Sequence, residues 1–211
     1  MDFNLTNEQM IFRDSVSKFA LHHLADKALE RAHSDTFPME VAELMADQGL
    51  LGITIAEIDG GQGGTLTDAV IAVDAVADVC PRSADVIQAG NFGPIRVLAE
   101  YGTKYQKQRY LPNLLNGSGV IAVAMTEPEA GSAVTDLQTS ATPDGKGFRI
   151  NGSKVFTTHG SVADVLLAYV RYGPGLEGIG SVLIERDVEG FTIGKPVRFL
   201  SGEDWAQLYF D

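Results

Sequence analysis

Eight residues, Met125-Thr126-Glu127-Pro128-Glu129-Ala130-Gly131-Ser132, join a strand end, a turn and two hydroxyls in one short run. Upstream of it, Gly119-Val120-Ile121-Ala122-Val123-Ala124 is apolar enough to form a buried strand. Pro128 stops ladder pairing and Gly131 permits a tight backbone. The turn can therefore aim N–H groups, together with the Thr126 and Ser132 hydroxyls, at an anion or at the polar edge of a ring. Taken alone, the same run could be an ordinary surface loop.

A second run is Asn151-Gly152-Ser153-Lys154-Val155-Phe156-Thr157-Thr158-His159-Gly160. Asn151-Gly152 between two β-prone stretches is a two-residue hairpin signal. In a strand, Phe156 and Thr158 fall on one face. Phe156 could cover a flat heteroaromatic ring and Thr158 could bond its polar edge; the alternative is that Phe156 fills the core. His159, beside Gly160, reads as a turn residue rather than a base. The third run, Tyr101 to Gly117, is by physics a well-capped helix with a distinctive pattern.

Other chemistry is disfavoured. Asp59-Gly60-Gly61-Gln62-Gly63-Gly64 puts Leu66 where a dinucleotide fingerprint needs its third glycine, and no strand–helix alternation follows. It reads as a helix-connecting turn. His22, His23 and His33 show no metal spacing, so no metal site is expected. Cys80, the single cysteine, precedes Pro81 without cationic neighbours and reads as a buried structural thiol in a reducing cytoplasm.

The elements that must hold these runs fall into two halves. Residues 1–117 read as helices. Capping boxes at Thr6-Asn7-Glu8-Gln9 and Thr103-Lys104-Tyr105-Gln106 open two of them, the first with Phe12, Val16 and Phe19 on one face. Phe37-Pro38 starts another that stops at Gly49, with Val41, Leu44 and Met45 inward. The Ala- and Val-rich stretch from Thr65 to Val79 should be a central helix buried on nearly all sides. A further helix, Ser83 to Tyr101, is interrupted around Gly90 and Gly93-Pro94. Residues 118–211 read as a small antiparallel barrel or sandwich. Its expected strands are Val120–Met125, Phe148–Ile150, Lys154–Thr158, Val165–Arg171, Ser181–Glu185, Phe191–Ile193 and Gln207–Phe210. The short turn at Gly117-Ser118 should let the halves pack together.

Composition bounds the partners. The 211 residues are 45% hydrophobic and 21% charged, enough for one or two real cores. With 28 acids against 16 lysines and arginines the net charge is −12, which disfavours nucleic acid and anionic membranes. Met1-Asp2-Phe3-Asn4-Leu5 is not the start of a signal peptide, and Asp74 and Asp78 interrupt the longest apolar stretch, so no membrane span is expected.

Together the three runs resemble the acyl-CoA dehydrogenase family of flavoproteins. Y-G-T-x-x-Q-K-x-x-Y-L-P-x-L-x-x-G, T-E-P-x-A-G-S and N-G-x-K-x-F-x-T-x-G occur in the family's order and spacing. The resemblance covers the chain as an all-α N-terminal domain followed by the β middle domain. It implies FAD as cofactor. The Val123-Ala124-Met125-Thr126 strand would lie on the pyrimidine side of the flavin, with Met125 and Thr126 making contacts. Gly131 and Ser132 match the turn near the FAD pyrophosphate and the acyl-CoA. Phe156 matches the aromatic beside the isoalloxazine, and Thr157 and Thr158 the residues at its N5/O4 edge. The implied reaction is α,β-dehydrogenation of an acyl-CoA thioester in fatty acid metabolism. A carboxylate takes the α-proton, hydride passes to flavin N5, and an electron-transfer flavoprotein receives the electrons. The implied assembly is a homodimer or homotetramer.

Some positions depart from the family pattern. No residue matches the catalytic base, which the family carries in a C-terminal helical bundle expected beyond Asp211. Glu127 and Glu129 read as loop acids. Ala133 stands where the family commonly has Asp, and His159 replaces a common Asn. Ser201-Gly202-Glu203-Asp204-Trp205-Ala206 lacks the usual arginine. A non-catalytic flavin-binding subunit needing a separate partner, an acyl-CoA oxidase and a desulfinase on the same fold remain alternatives.

Overall fold

The computed structural model describes residues 4–34, 36–145, 147–200 and 202–211. The readings made on Met1, Asp2, Phe3 and Ser201 lie outside the described residues. Two compact units divide the chain, Met1–Gly119 and Val120–Asp211.

The first unit holds α1 (Asn7–His23), α2 (Ala28–Ala32), α3 (Met39–Asp47), α4 (Leu66–Ala77), α5 (Pro81–Asn91), α6 (Pro94–Tyr101) and α7 (Lys104–Leu115). Capping boxes open α1, α4 and α7, at Thr6 with Gln9, Thr65 with Asp68 and Thr103 with Gln106. In each, the threonine hydroxyl accepts one otherwise orphaned N–H and the later side chain accepts the cap's own N–H. The box at Thr65 uses Asp where the sequence signature asks for Glu or Gln. Gly93, at φ 63°, breaks the chain between α5 and α6, and Pro94 restarts it at the first helical turn.

One expectation is corrected here. α4 buries Ala69, Ile71, Ala72, Ala75 and Val76, but Leu66 and Val70 are 47% and 55% exposed. Small apolar residues on every side permit burial all round, yet only one face of α4 has neighbours in this unit. The glycine-rich turn behaves as expected. Gln62, Gly63 and Gly64 donate their N–H groups to the carbonyls of Gly52, Ile55 and Ile53 at 2.9, 2.8 and 2.7 Å. Donors satisfied by the fold in this way form no phosphate cradle. Cys80 is fully buried and its Sγ accepts the Ser83 hydroxyl at 3.0 Å.

The second unit is a single mixed sheet among the described residues: β1 (Ile121–Ala124), β2 (Ser140–Asp144), β3 (Gly147–Thr158), β4 (Val165–Arg171), β5 (Ile179–Glu185), β6 (Phe191–Ile193), β7 (Val197–Arg198) and β8 (Asp204–Phe210). Its path runs β1-β4-β2-β3-β8-β6, with β5 on the other side of β4 and β7 on β8. The helices-then-sheet class is as expected. The sheet is not purely antiparallel, because β1 pairs parallel with β4 from Ile121↔Val165 to Ala124↔Ala168, and Ser140 of β2 pairs parallel with Arg171. β4 therefore has partners on both edges, and its Val165, Leu166, Leu167, Ala168 and Val170 are all buried.

Asn151-Gly152 is not a hairpin. β3 runs straight through it, and the turn to β2 closes instead at the Asp144↔Gly147 pair. Gly152 serves a different purpose. Its φ is 145°, and a Cβ there would stand 2.6 Å from Thr139 Oγ1 and 2.7 Å from Thr139 Cα. The glycine admits a neighbouring backbone. β2 escaped the sequence reading because it contains Pro143; it pairs with β3 on one edge and meets β4 only at Ser140, so the proline disrupts no second ladder.

Candidate functional site

The structure joins the first two candidate runs. β1 ends at Ala124, and the chain then turns through an isolated bridge in which Glu127 and Ala130 exchange backbone hydrogen bonds of 3.0 and 3.2 Å. Thr126 O accepts the Val155 N–H at 2.8 Å, which sets the end of β1 against β3. Beside that bond lies an ion pair that is almost wholly buried. Lys154 Nζ, with no exposed surface, donates to Glu127 Oε1 at 2.8 Å and to Met125 O at 3.0 Å. The Glu127 carboxylate also accepts the backbone N–H groups of Gln138 and Thr139, at 2.5 and 2.9 Å.

This geometry settles the chemistry of Glu127. Burial alone would raise its carboxyl, but the Gln138 N–H, the Lys154 ammonium and the Thr139 N–H more than offset that, holding it below the usual carboxylate value. A carboxylate held below its usual value, with its oxygens committed to three donors, is a strut rather than a proton acceptor. The reading of Glu127 as a simple loop acid underestimates it. Lys154 was likewise not singled out; the available signal was a cation inside the second run, at the start of an otherwise uncharged expected strand.

Downstream of Lys154, β3 carries a bulge. Lys154 pairs with Leu208 and Thr157 with Ala206, so Val155 and Phe156 together oppose Gln207. Phe156 has φ 55° and His159 φ 60°, the positive-φ residues other than glycine among the described residues. For an aromatic residue such a φ is a real outlier, and strain of this kind gathers at binding and catalytic sites. The two outliers bracket Thr157-Thr158.

The strand alternation holds across the bracket. Thr157 is buried, while Phe156 is 58% exposed and Thr158 is part-exposed. Phe156 is thus not a core residue. Its ring lies 4.6 Å from that of Trp205, at 55°. Trp205 is also the cross-strand partner of Thr158 and was not singled out from the sequence. The turn that follows is pinned three ways: His159 N–H to Asp204 O at 3.2 Å, the Ser161 hydroxyl to Asp204 Oδ2, and Arg186 Nη1 to Ser161 O at 2.8 Å. His159 is a buried turn residue.

The remaining candidates sit on the rim. Val123 is the outward residue of an otherwise buried strand, 37% exposed. Met125 and Thr126 are part-exposed, and Gly131 and Ser132 are exposed on the turn, with open space where a Gly131 Cβ would be. The uncovered apolar side chains of Val123 and Phe156 fit a flat cofactor. On the opposite face of β3, Thr157 Oγ1 is buried with no hydrogen-bond partner among the described residues. A buried hydroxyl in that state costs about 1–3 kcal/mol until something bonds to it. Among the described residues no cluster of histidines, cysteines and acids could hold a metal, and no helix is long and apolar enough to cross a membrane.

The acyl-CoA dehydrogenase N-terminal domain profile matches residues 6–118, and the middle domain profile matches residues 122–211. The chain belongs to the acyl-CoA dehydrogenase family. A short-chain-specific acyl-CoA dehydrogenase of Clostridium acetobutylicum is 38% identical over 92% of this chain and 52% of its own length. A 3-sulfinopropanoyl-CoA desulfinase of Paraburkholderia xenovorans is 30% identical over 99% of this chain and 55% of its own. Among solved structures, the FAD complex of PigA superposes with a TM-score of 0.91 at 28% identity, covering 100% of this chain and 57% of that one. This chain spans about half the length of the curated relatives it matches.

Proposed function

We propose that these residues are the helical and β parts of an FAD-dependent acyl-CoA dehydrogenase acting on an acyl-CoA thioester. The observation that carries the reading is the strained Phe156–His159 segment, standing beside an end of β1 that is tied to it by a buried ion pair. PigA, solved as an FAD complex, shares this fold, which supports the cofactor. Bound FAD would supply an acceptor for a hydride equivalent at N5.

In this reading each residue keeps a defined task. Phe156, backed by Trp205, and Val123 present apolar surface to the ring. Met125 and Thr126 offer main-chain groups and a hydroxyl to its pyrimidine side. Thr158 holds a hydrogen bond at the redox edge; Thr157, whose side chain is buried, contributes there through its main chain. Gly131 and Ser132 lie open for the pyrophosphate and for acyl-CoA. The α-proton is removed by a carboxylate outside these 211 residues. Electrons then pass to an electron-transfer flavoprotein, and the protein works as a cytoplasmic homodimer or homotetramer.

The test is anaerobic addition of saturated acyl-CoA thioesters to the FAD-loaded protein made from its natural reading frame. Bleaching of the flavin with formation of the enoyl-CoA is the expected result. The desulfinase relative gives a second reading its specific support. Release of sulfite from a sulfinoacyl-CoA, without bleaching, would replace the dehydrogenase reading with that one. Rapid reoxidation by oxygen would identify an oxidase.

A further inference from the structure

The stretch from Glu127 to Thr139 is a long excursion with only a short 3-10 turn, Val134–Asp136, of its own. It carries Gly131 and Ser132, yet its tip is exposed and offers little packing. Both of its ends are held by one carboxylate. Glu127 stands at the start of the excursion, and its oxygens accept the N–H groups of Gln138 and Thr139 at the finish. Lys154 completes the clamp by bonding both Glu127 and Met125 O. Two residues further along β3 stands Phe156, inside the bulge that begins after Lys154. The pair therefore links the anion-facing turn to the aromatic and hydroxyl edge.

We infer that Glu127 and Lys154 are positioning residues for the cofactor site: the pair holds the Gly131-Ser132 turn and the Phe156–Thr158 edge in register, so that one ligand meets both. The inference rests on the FAD reading above. An ion pair kept only for stability would be an odd choice, since a buried pair gains little over apolar residues of similar size. What it adds is direction. Three of its four hydrogen bonds fix a particular backbone group: the Gln138 and Thr139 N–H groups at the finish of the excursion and Met125 O, two residues before its start.

The experiment compares the wild type with Lys154→Met and Glu127→Gln, both close in shape to the residues replaced, in the protein made from its natural reading frame. Arg149→Met, which breaks the exposed Arg149–Asp144 pair of the same sheet, is the control. FAD is the probe. Affinity is read from quenching of flavin fluorescence, alignment from the visible circular dichroism of flavin at saturation, and folding from far-ultraviolet dichroism. The expected result is at least tenfold weaker FAD binding and an altered visible dichroism in folded Lys154→Met or Glu127→Gln, with Arg149→Met like the wild type. A folded variant with wild-type affinity and dichroism overturns the inference. If neither variant folds, the pair is a stability element only, which also overturns it. A wild type that takes up no FAD sinks the cofactor reading itself, a result distinct from either.

Discussion

Phe156 and Thr158 have different tasks in the proposed site, and substitutions separate them. Thr158→Val keeps the β-branched shape and should slow flavin reduction on the order of tenfold, the worth of about one hydrogen bond, with folding unchanged. Stopped-flow reduction by acyl-CoA measures this; unaltered rates would remove Thr158 from the redox edge. Phe156→Ala should weaken FAD binding several-fold through loss of an aromatic contact worth about 1 kcal/mol. Strain adds an independent check at the same residue. With φ at 55°, any L side chain here costs about 1–2 kcal/mol that glycine does not pay. Phe156→Gly should therefore be no less stable than Phe156→Ala in urea, reversing the usual order in a strand. A lower midpoint for the glycine variant would count against strain. That Phe156 and Thr158 share one face of β3 was legible from spacing. The left-handed backbone at Phe156 was not, because it follows from a bulge against β8, about 50 residues downstream.

At the scale of elements, the local signals were reliable and the pairings were not. The boxes at Thr6 and Thr103 could be read because capping involves residues three apart. Asn151-Gly152 misled for the opposite reason: a hairpin signal was outweighed by the close approach of Thr139 and the ladder to β8. Gly152→Ala should destabilise the sheet by about 1–3 kcal/mol, since the new Cβ meets backbone atoms that cannot yield; equilibrium unfolding would detect it, and a neutral outcome would refute the close approach. The clamp between the excursion and β3 predicts a pH dependence. The folded pKa of Glu127 lies below its unfolded value of about 4.3, so its stabilisation is fully present above that pH and is lost as pH falls through the folded value. Urea midpoints should fall along this acid limb in the wild type and fall less steeply in Glu127→Gln. Leaving Lys154 charged without its partner should in addition cost that variant about 3–5 kcal/mol at neutral pH.

For the whole molecule, the chain spans about half the length of the relatives it matches, and the intact mass of the natural gene product tests whether the protein is longer. A mass well above 22.6 kDa is expected. A mass of that value would send the search to a separate partner subunit. The net charge of −12 disfavours nucleic acid as a partner at this scale. The family, the helices-then-strands order and most of the individual elements were determined by the sequence alone, because caps, apolar runs and turn residues act between near neighbours. Tertiary structure decided the rest. The parallel pairing of β1 with β4, the one-sided burial of α4, the bulge at Phe156 and the union of Glu127 with Lys154 each join groups far apart in the chain. No local pattern records which distant donor will find a buried carboxylate; packing chooses it, since a charge enclosed without a partner is too unfavourable to persist.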